Sequence, residues 1–343
     1  MSSDTVRPDA ATTGSEATRV GIGADAVGGH VDADTEPGDG SGMSVKARSQ
    51  RQMVVRRFFR HRLAMTSLAV LAGMVFLAYG GLWFWDLPYD QSGTVVNRGE
   101  STIDLIPWFD GDGFALGQHP FGQDNIGRDY FAVTLKGAQG SITVAVLAGL
   151  IATTVGAIVG ALSGFYRGWV DTVLMRIVDV LFTIPLLLLA AVVSRRFNVE
   201  GNVLFGSLII ASLAWLTTAR VIRAEFLSIR EKEFVEAARA LGASNRRIIF
   251  KHMLPNVIGS VIVSATLLIS AAILVEAALA FLGFGVTEYS LGQQVQIYRT
   301  AFASRPWLFW WPGVFIIIIA LCINFIGDGL RDAFDPKQTR VRQ

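Results

Sequence analysis

Apolar residues in this chain come in long unbroken runs, not at the spacing of a surface helix or in the alternation of a half-buried strand. Residues 63–85, 137–166, 201–219, 253–275 and 306–327 contain no charged side chain. A hydrocarbon layer of about 30 Å is crossed by about 20 apolar residues in helical form, so each run predicts a membrane-spanning helix. A sixth span is predicted over residues 170–194. Its uncharged part, 180–194, is too short alone, so the span must start deeper, with Asp171, Arg176 and Asp179 near one end or facing protein. Pro185 removes a backbone donor and crowds the preceding turn, which predicts a kink there. Residues 277–287 continue the fifth span after a single acid, Glu276. The expected fold is all-α, a polytopic membrane protein of six transmembrane helices.

Charge orients these spans. Six crossings put both ends of the chain on one side, and Lys and Arg mark the cytoplasmic side. Seven basic residues from Lys46 to Arg62 precede the first span, and Arg331, Lys337, Arg340 and Arg342 follow the last. Eight more, from Arg220 to Lys251, lie between spans four and five. The expected location is the cytoplasmic (inner) membrane, with both termini cytoplasmic. Trp83, Trp85, Trp307, Trp310 and Trp311 sit at outer ends of spans and Trp169 near an inner one, at headgroup depth.

Composition agrees: of 343 residues 52% are hydrophobic and 17% charged, with mean hydropathy +0.45. Soluble domains carry about 25% charged residues, so an ordinary soluble enzyme and a disordered scaffold are excluded. The net charge of +2 hides a division. Residues 1–43 hold eight acids and two bases, leaving 20 acids and 28 bases for the rest. The acidic part is rich in Gly, Ser, Thr and Asp and lacks apolar periodicity, so residues 1–45 are expected to be a disordered cytoplasmic tail. A basic segment, the first span and an external loop occupy 46–136. The five-span core takes 137–328, and 329–343 form a C-terminal cytoplasmic tail.

The chemistry a transporter would need for its own energy supply is absent. None of the five lysines follows a glycine, so no G-x-x-x-x-G-K-[ST] phosphate loop exists. Neither H-E-x-x-H nor G-x-S-x-G occurs. His30, His61, His119 and His252 fall far apart, and the lone Cys322 excludes disulfides and cysteine-based metal sites. His119, Asp124 and Asp129 share a loop, but their spacing fits turns better than a compact metal site. The chain is expected to be no enzyme, to hold no metal or cofactor of its own, and to bind no nucleic acid.

The connection 220–251 is patterned. Ser228 to Glu231 fits an S-x-x-E capping box and so a helix start. Phe234, Ala238 and Leu241 then share one helical face. Gly242 is placed to end the helix in the left-handed conformation, and a second helix starts at Ser244, with Pro255 near its join to span five. Such a helix is either a knob for a partner's groove or an amphipathic segment on the headgroups; the pattern leaves both open.

Glu236-Ala237-Ala238, then Gly242, then Leu254-Pro255 resembles the EAA signature of ABC importer permeases. His252, where an apolar residue is usual, is similar to the branch of dipeptide and oligopeptide permeases. His119-Pro120-Phe121-Gly122 with Gly127-Arg128-Asp129, Gly164-Phe165-Tyr166-Arg167-Gly168 with Asp171, Glu276-Ala277 with Phe281-Leu282-Gly283, and Gly327-Asp328-Gly329-Leu330-Arg331-Asp332 resemble the second permease of peptide importers, in order, over about residues 119–336. Residues 288–292 depart from that pattern. The resemblance implies a type I ABC importer permease fold and import of di- or oligopeptides, with nickel or another small solute as the alternative. It implies that Glu236, Ala237, Ala238, Gly242, Leu254 and Pro255 couple the chain to two ABC ATPase subunits that bind ATP and Mg. A homologous second permease, an external solute-binding protein and membrane lipid complete the expected partners.

Two buried-run acids are candidates for the substrate path. Asp179 can pair with Arg176 three residues earlier on one helix face, which favours a structural role. Glu276, ionised in lipid, would cost about 3 kcal/mol, so it should face protein or a water-filled path, or be protonated. Gly156 and Gly160 form a G-x-x-x-G that allows close helix approach.

Overall fold

The computed structural model describes residues 50–95, 100, 117–197 and 201–334. The expectations for the acidic tail and for residues 335–343 lie outside these. The described chain is helical: α1 (Gln50–Arg60), α2 (Arg62–Phe84), α3 (Tyr130–Tyr166), α4 (Gly168–Phe182), α5 (Leu186–Phe197), α6 (Val203–Arg230) and α7 (Glu233–Ala240) come first. A single turn, α8 (Asn245–Arg247), then runs through a π-helical stretch (Ile248–Met253) into α9 (Leu254–Phe281). A short α10 (Leu291–Ile297) and a 3₁₀ turn (Arg299–Ala303) lead to α11 (Trp307–Phe334). Five helices are individually long and apolar enough to cross a membrane, and the bent pair α4–α5 makes a sixth.

The helices outrun the apolar runs that announced them. α3 starts at Tyr130, seven residues before its uncharged stretch, because Asp129 caps it by accepting from the Ala132 N–H at 2.9 Å. α6 starts where Asn202 accepts from the Phe205 N–H and continues to Arg230, beyond the last uncharged position. Hydropathy marks the part that lies in lipid; capping side chains set where the backbone pattern begins.

α3 is the axis of the bundle, packed along α6 and α9, with α2 and α11 also against it. Its contact with α6 is set by glycine. A Cβ on Gly156 would meet the Trp215 carbonyl at 2.7 Å, on Gly160 the Ala219 carbonyl at 2.5 Å, and on Gly164 the Phe226 Cβ at 2.6 Å. The G-x-x-x-G therefore joins two helices of the same chain. In lipid, where the hydrophobic effect does not press helices together, such close backbone approach supplies the packing. α2 fully buries only a narrow stripe, Ala64, Ser67, Met74 and Ala78, packs Leu71, Val75 and Leu82 partly against the core, and exposes Leu63, Phe76 and Trp83.

The sixth span is broken rather than kinked: α4 and α5 meet at 78°. Pro185 offers no N–H, and the Thr183 hydroxyl donates back to the Val180 carbonyl at 2.7 Å, so the turn closes on itself. A second difference concerns Arg176. Asp179 pairs instead with Arg220 of α6 at 2.7 Å, whose guanidinium lies 4.4 Å from the Phe182 ring centroid. The pair thus ties α4 to α6 and does not close within one helix.

Candidate functional site

The site is the helical hairpin α7–α8 that joins α6 to α9. α6 does not stop at Ser228, which lies inside it. The expected capping box does not form, and Glu231 instead takes Arg167, across from the α3–α4 turn. The Arg167 guanidinium holds the Glu231 carboxyl below the usual carboxylate range. After one extended residue, Lys232, α7 runs from Glu233 with Glu233 and Glu236 in its first turn, where the helix dipole favours acids.

Gly242 ends α7 as its position predicts. Its φ is +76°. Its N–H donates to the Arg239 carbonyl and the Ala243 N–H to the Ala238 carbonyl, each at 3.0 Å, the paired bonds of a Schellman turn. Ser244 then caps α8 by accepting from the Arg247 N–H at 3.4 Å. Pro255 sits in the first turn of α9, where a missing N–H costs nothing.

The buried face of α7 is not the expected one. Val235 and Ala238, three apart, are inside, with Ala238 8% exposed. They root the helix in a cluster formed by Phe165, Ile222, Phe226, Ile248 and Met253, with Leu254 packed against it. Phe234 and Leu241, expected beside Ala238, face outward at 43% and 88% exposure. The helix begins at Glu233 and not near Ser228, so it meets the bundle through Val235. Of the six residues expected to act together, Ala238 and Leu254 belong to the root, whereas Glu236, Ala237, Gly242 and Pro255 are at the surface. Phe250, 63% exposed in the π-helical stretch, is a third outward aromatic or aliphatic side chain in this segment. Sequence periodicity missed Val235, although its i, i+3 relation to Ala238 was a usable signal.

The platform under the hairpin is clamped by charge. Asp171 at the start of α4 takes both Arg223 Nε and Nη2 of α6, and the Ser163 hydroxyl of α3 donates to the same carboxylate. Arg230 Nη1 donates to the Phe165 carbonyl at 2.6 Å, one of the last carbonyls of α3. Arg167, at φ 53°, reverses the chain between α3 and α4. Motion applied at α7 would therefore pass into α3, α4, α6 and α9 together.

The two path candidates lie apart. Asp179 is exposed on α4 in its pair with Arg220. Glu276 is fully buried near the end of α9, where the hydroxyls of Ser141 and Ser290 face its carboxyl. It faces protein. His119 and Asp129 meet at 2.9 Å, while Asp124 is taken by Arg128 at 2.6 Å and by the Ile126 and Arg128 N–H groups. Among the described residues no three His, Cys, Asp or Glu side chains gather as a metal site.

Comparison with known proteins gives a consistent picture. Residues 152–340 match the model of the binding-protein-dependent transport system inner membrane component, and residues 49–101 that of the N-terminal TM domain of oligopeptide transport permease C. The oligopeptide transport system permease protein OppC of Mycobacterium tuberculosis is 37% identical over 297 residues, which are 86% of this chain and 97% of the relative. OppC of Haemophilus influenzae is 36% identical over 297 residues, 86% of this chain and 91% of the relative. Among solved structures, an inward-facing conformation of the MetNI methionine ABC transporter aligns with a TM-score of 0.51 at 20% identity. It covers 59% of this chain and 96% of that one, a likeness of fold.

Proposed function

The chain belongs to the family of binding-protein-dependent transport system inner membrane components, and from that premise we propose that it is the permease subunit of an ATP-driven importer of di- or oligopeptides. The relatives named above are oligopeptide permeases; a nickel cargo, which the resemblance allowed, is not favoured by them. The chain works beside a homologous second permease, above two ATPase subunits, and receives peptide from an external solute-binding protein. It sits in the inner membrane with both termini and α7 on the cytoplasmic side. ATP and Mg act on the ATPase subunits, and this chain makes and breaks no bonds.

The observation that carries this reading is the two-sided character of α7. An eight-residue helix cannot stand alone in water, and here Val235 and Ala238 fix it to the bundle. Its other side presents Leu241 and Phe234 to the surroundings beside the charges of Glu236 and Arg239. Exposed apolar side chains rimmed by charge suit a groove of a partner protein. When the partner subunits close on nucleotide, the groove moves α7, and the rooted cluster passes that displacement to α6 and α9. The spans then rock between outward-open and inward-open arrangements, as in alternating access.

Leu241→Asp tests this directly. Leu241 touches little of its own chain, so the variant should insert and fold as the parent does. Peptide uptake should fall at least tenfold, and the variant should no longer retain the ATPase subunits on purification. Glu236→Lys should act the same way. So should Gly242→Pro, because a φ of +76° lies outside what proline can adopt. Normal uptake by Leu241→Asp would remove α7 from the coupling role.

A further inference from the structure

α1 is a helix of 11 residues that holds four arginines and no acid. His61, at φ −81° and ψ 96°, leaves the helical region, so α1 and α2 are separate helices. α1 packs on the last turns of α11. A Cβ on Gly329 would stand 3.5 Å from the Phe58 ring, and His61 Nε2 lies 3.6 Å from Asp332 Oδ2. The uncharged run of α2 begins at residue 63, and that of α11 stops at residue 327. α1 is therefore held where two spans leave the hydrocarbon, at the depth of the headgroups.

Its two sides differ. Phe58 turns toward α11 and is half-buried. On the outer side Val55 and Phe59 are 54% and 61% exposed, and Leu63, just beyond, is 49% exposed. Arg56 and Arg60 stand beside Val55 and Phe59, exposed and in no ion pair among the described residues. Residues four apart share a helix face. An apolar strip and a cationic strip thus run side by side along the outer surface of α1.

That pairing narrows the partner. Water suits the arginines and not the strip, and hydrocarbon suits the strip and not the arginines. A protein groove of ordinary size buries about 800 Å2 on each partner, more than Val55 and Phe59 offer. The acidic residues 1–43 match the charge, but they hold no Phe, Trp, Tyr or Leu to cover the strip. The boundary of an anionic leaflet supplies both needs at one depth. Acyl chains receive Val55 and Phe59, and lipid phosphates accept from the guanidinium forks of Arg56 and Arg60.

We propose that the outer face of α1 is a docking surface for anionic phospholipid headgroups, bound at the phosphate by Arg56 and Arg60. Because α1 packs on both α2 and α11, headgroups bound there hold the ends of two spans. The surface needs neither the peptide cargo nor the coupling role of α7. Both leaflets of a nanodisc carry the same lipids, so the side on which α1 lies does not enter the test.

The test replaces Phe59 with the photoreactive residue benzoylphenylalanine in the full chain, in the assembly in which it purifies. The assembly is held in nanodiscs of phosphatidylcholine with about one lipid in five replaced by phosphatidylglycerol. After illumination, mass spectrometry identifies what is attached at position 59. Phosphatidylglycerol should be captured about threefold or more above its share of the bilayer. Arg56→Gln combined with Arg60→Gln should return capture to the bulk ratio and leave the thermal midpoint unchanged, since both side chains are exposed. Arg56→Lys combined with Arg60→Lys should keep most of the enrichment, because the charge remains. Capture of the two lipids in their bulk ratio by the parent would overturn the proposal. So would attachment to residues 1–43 or to a partner subunit in place of lipid, or enrichment that survives the glutamine pair.

Discussion

Asp129 illustrates how much one carboxylate can organise. It caps α3 through the Ala132 N–H, accepts from Trp85 Nε1 at the end of α2 at 2.9 Å, and meets His119 Nδ1 at the same distance. The Gly-Arg-Asp motif is thus a lock between two helix ends and the preceding loop. Gly127, at φ +78°, belongs to the lock because a Cβ there would stand 2.1 Å from the Gly93 carbonyl. Elsewhere single residues make equally sharp claims. Gly160→Leu should push α3 from α6 and destabilise the protein by about 1–3 kcal/mol, read as a lower thermal midpoint in detergent; an unchanged midpoint would contradict the packing. Glu231 has its carboxyl held below the ordinary range by Arg167. Such a group stabilises the fold above its unfolded pKa, about 4.3, and loses that contribution as pH falls through the lower folded value. Wild type should therefore exceed Glu231→Gln in thermal midpoint at pH 7. The gap should shrink toward pH 3–4 and also in about 1 M salt, because the pair is exposed to screening.

Among elements, α7 and the α4–α5 pair show where a sequence pattern stops being decisive. For α7 the end was legible, since a glycine in the left-handed conformation is a local requirement. The start and the buried face were not. Ser228 and Glu231 satisfy the capping-box spacing, yet α6 continues through Ser228 because Ile222 and Phe226 bury into the cluster beneath and Arg230 reaches the Phe165 carbonyl. Local capping is worth about 1 kcal/mol, less than that burial. For α4–α5, Pro185 announced a deviation but not its size. The 78° break needs the Thr183 bond and the independent anchoring of α4 through Asp171 and Asp179 to α6. Pro185→Ala restores a backbone donor and should reduce the angle. Spin labels at Val173 and Val192, both on exposed faces, should move several ångströms apart, and an unchanged distance would assign the bend to packing alone.

At the scale of the molecule, the arrangement makes a prediction about sides. α10, which packs at Val133, and the hairpin α7, which packs at Phe165, lie at opposite ends of α3, a helix of 37 residues, or about 55 Å at 1.5 Å per residue. In a Cys322→Ser background, Glu288→Cys should react in intact cells with a maleimide that does not cross membranes. Leu241→Cys should react only after the cells are opened. The reverse result would invert the topology and with it the coupling role of α7. Five runs without charge, and a sixth whose charges gather at one end, pointed to the number and place of the spans, because the cost of an unpaired charge in lipid leaves few alternatives. Gly242, Ser244 and Pro255 likewise fixed backbone turns by rules that operate within a few residues. What the tertiary structure alone decided are relations between residues distant in sequence: Asp179 with Arg220, Asp171 with Arg223, Gly160 with Ala219, Gly292 with Ala277, and Val235 as the root of α7. Each depends on which helix faces are brought together, and a nearly uniform apolar run carries no periodic signal to say which face that will be.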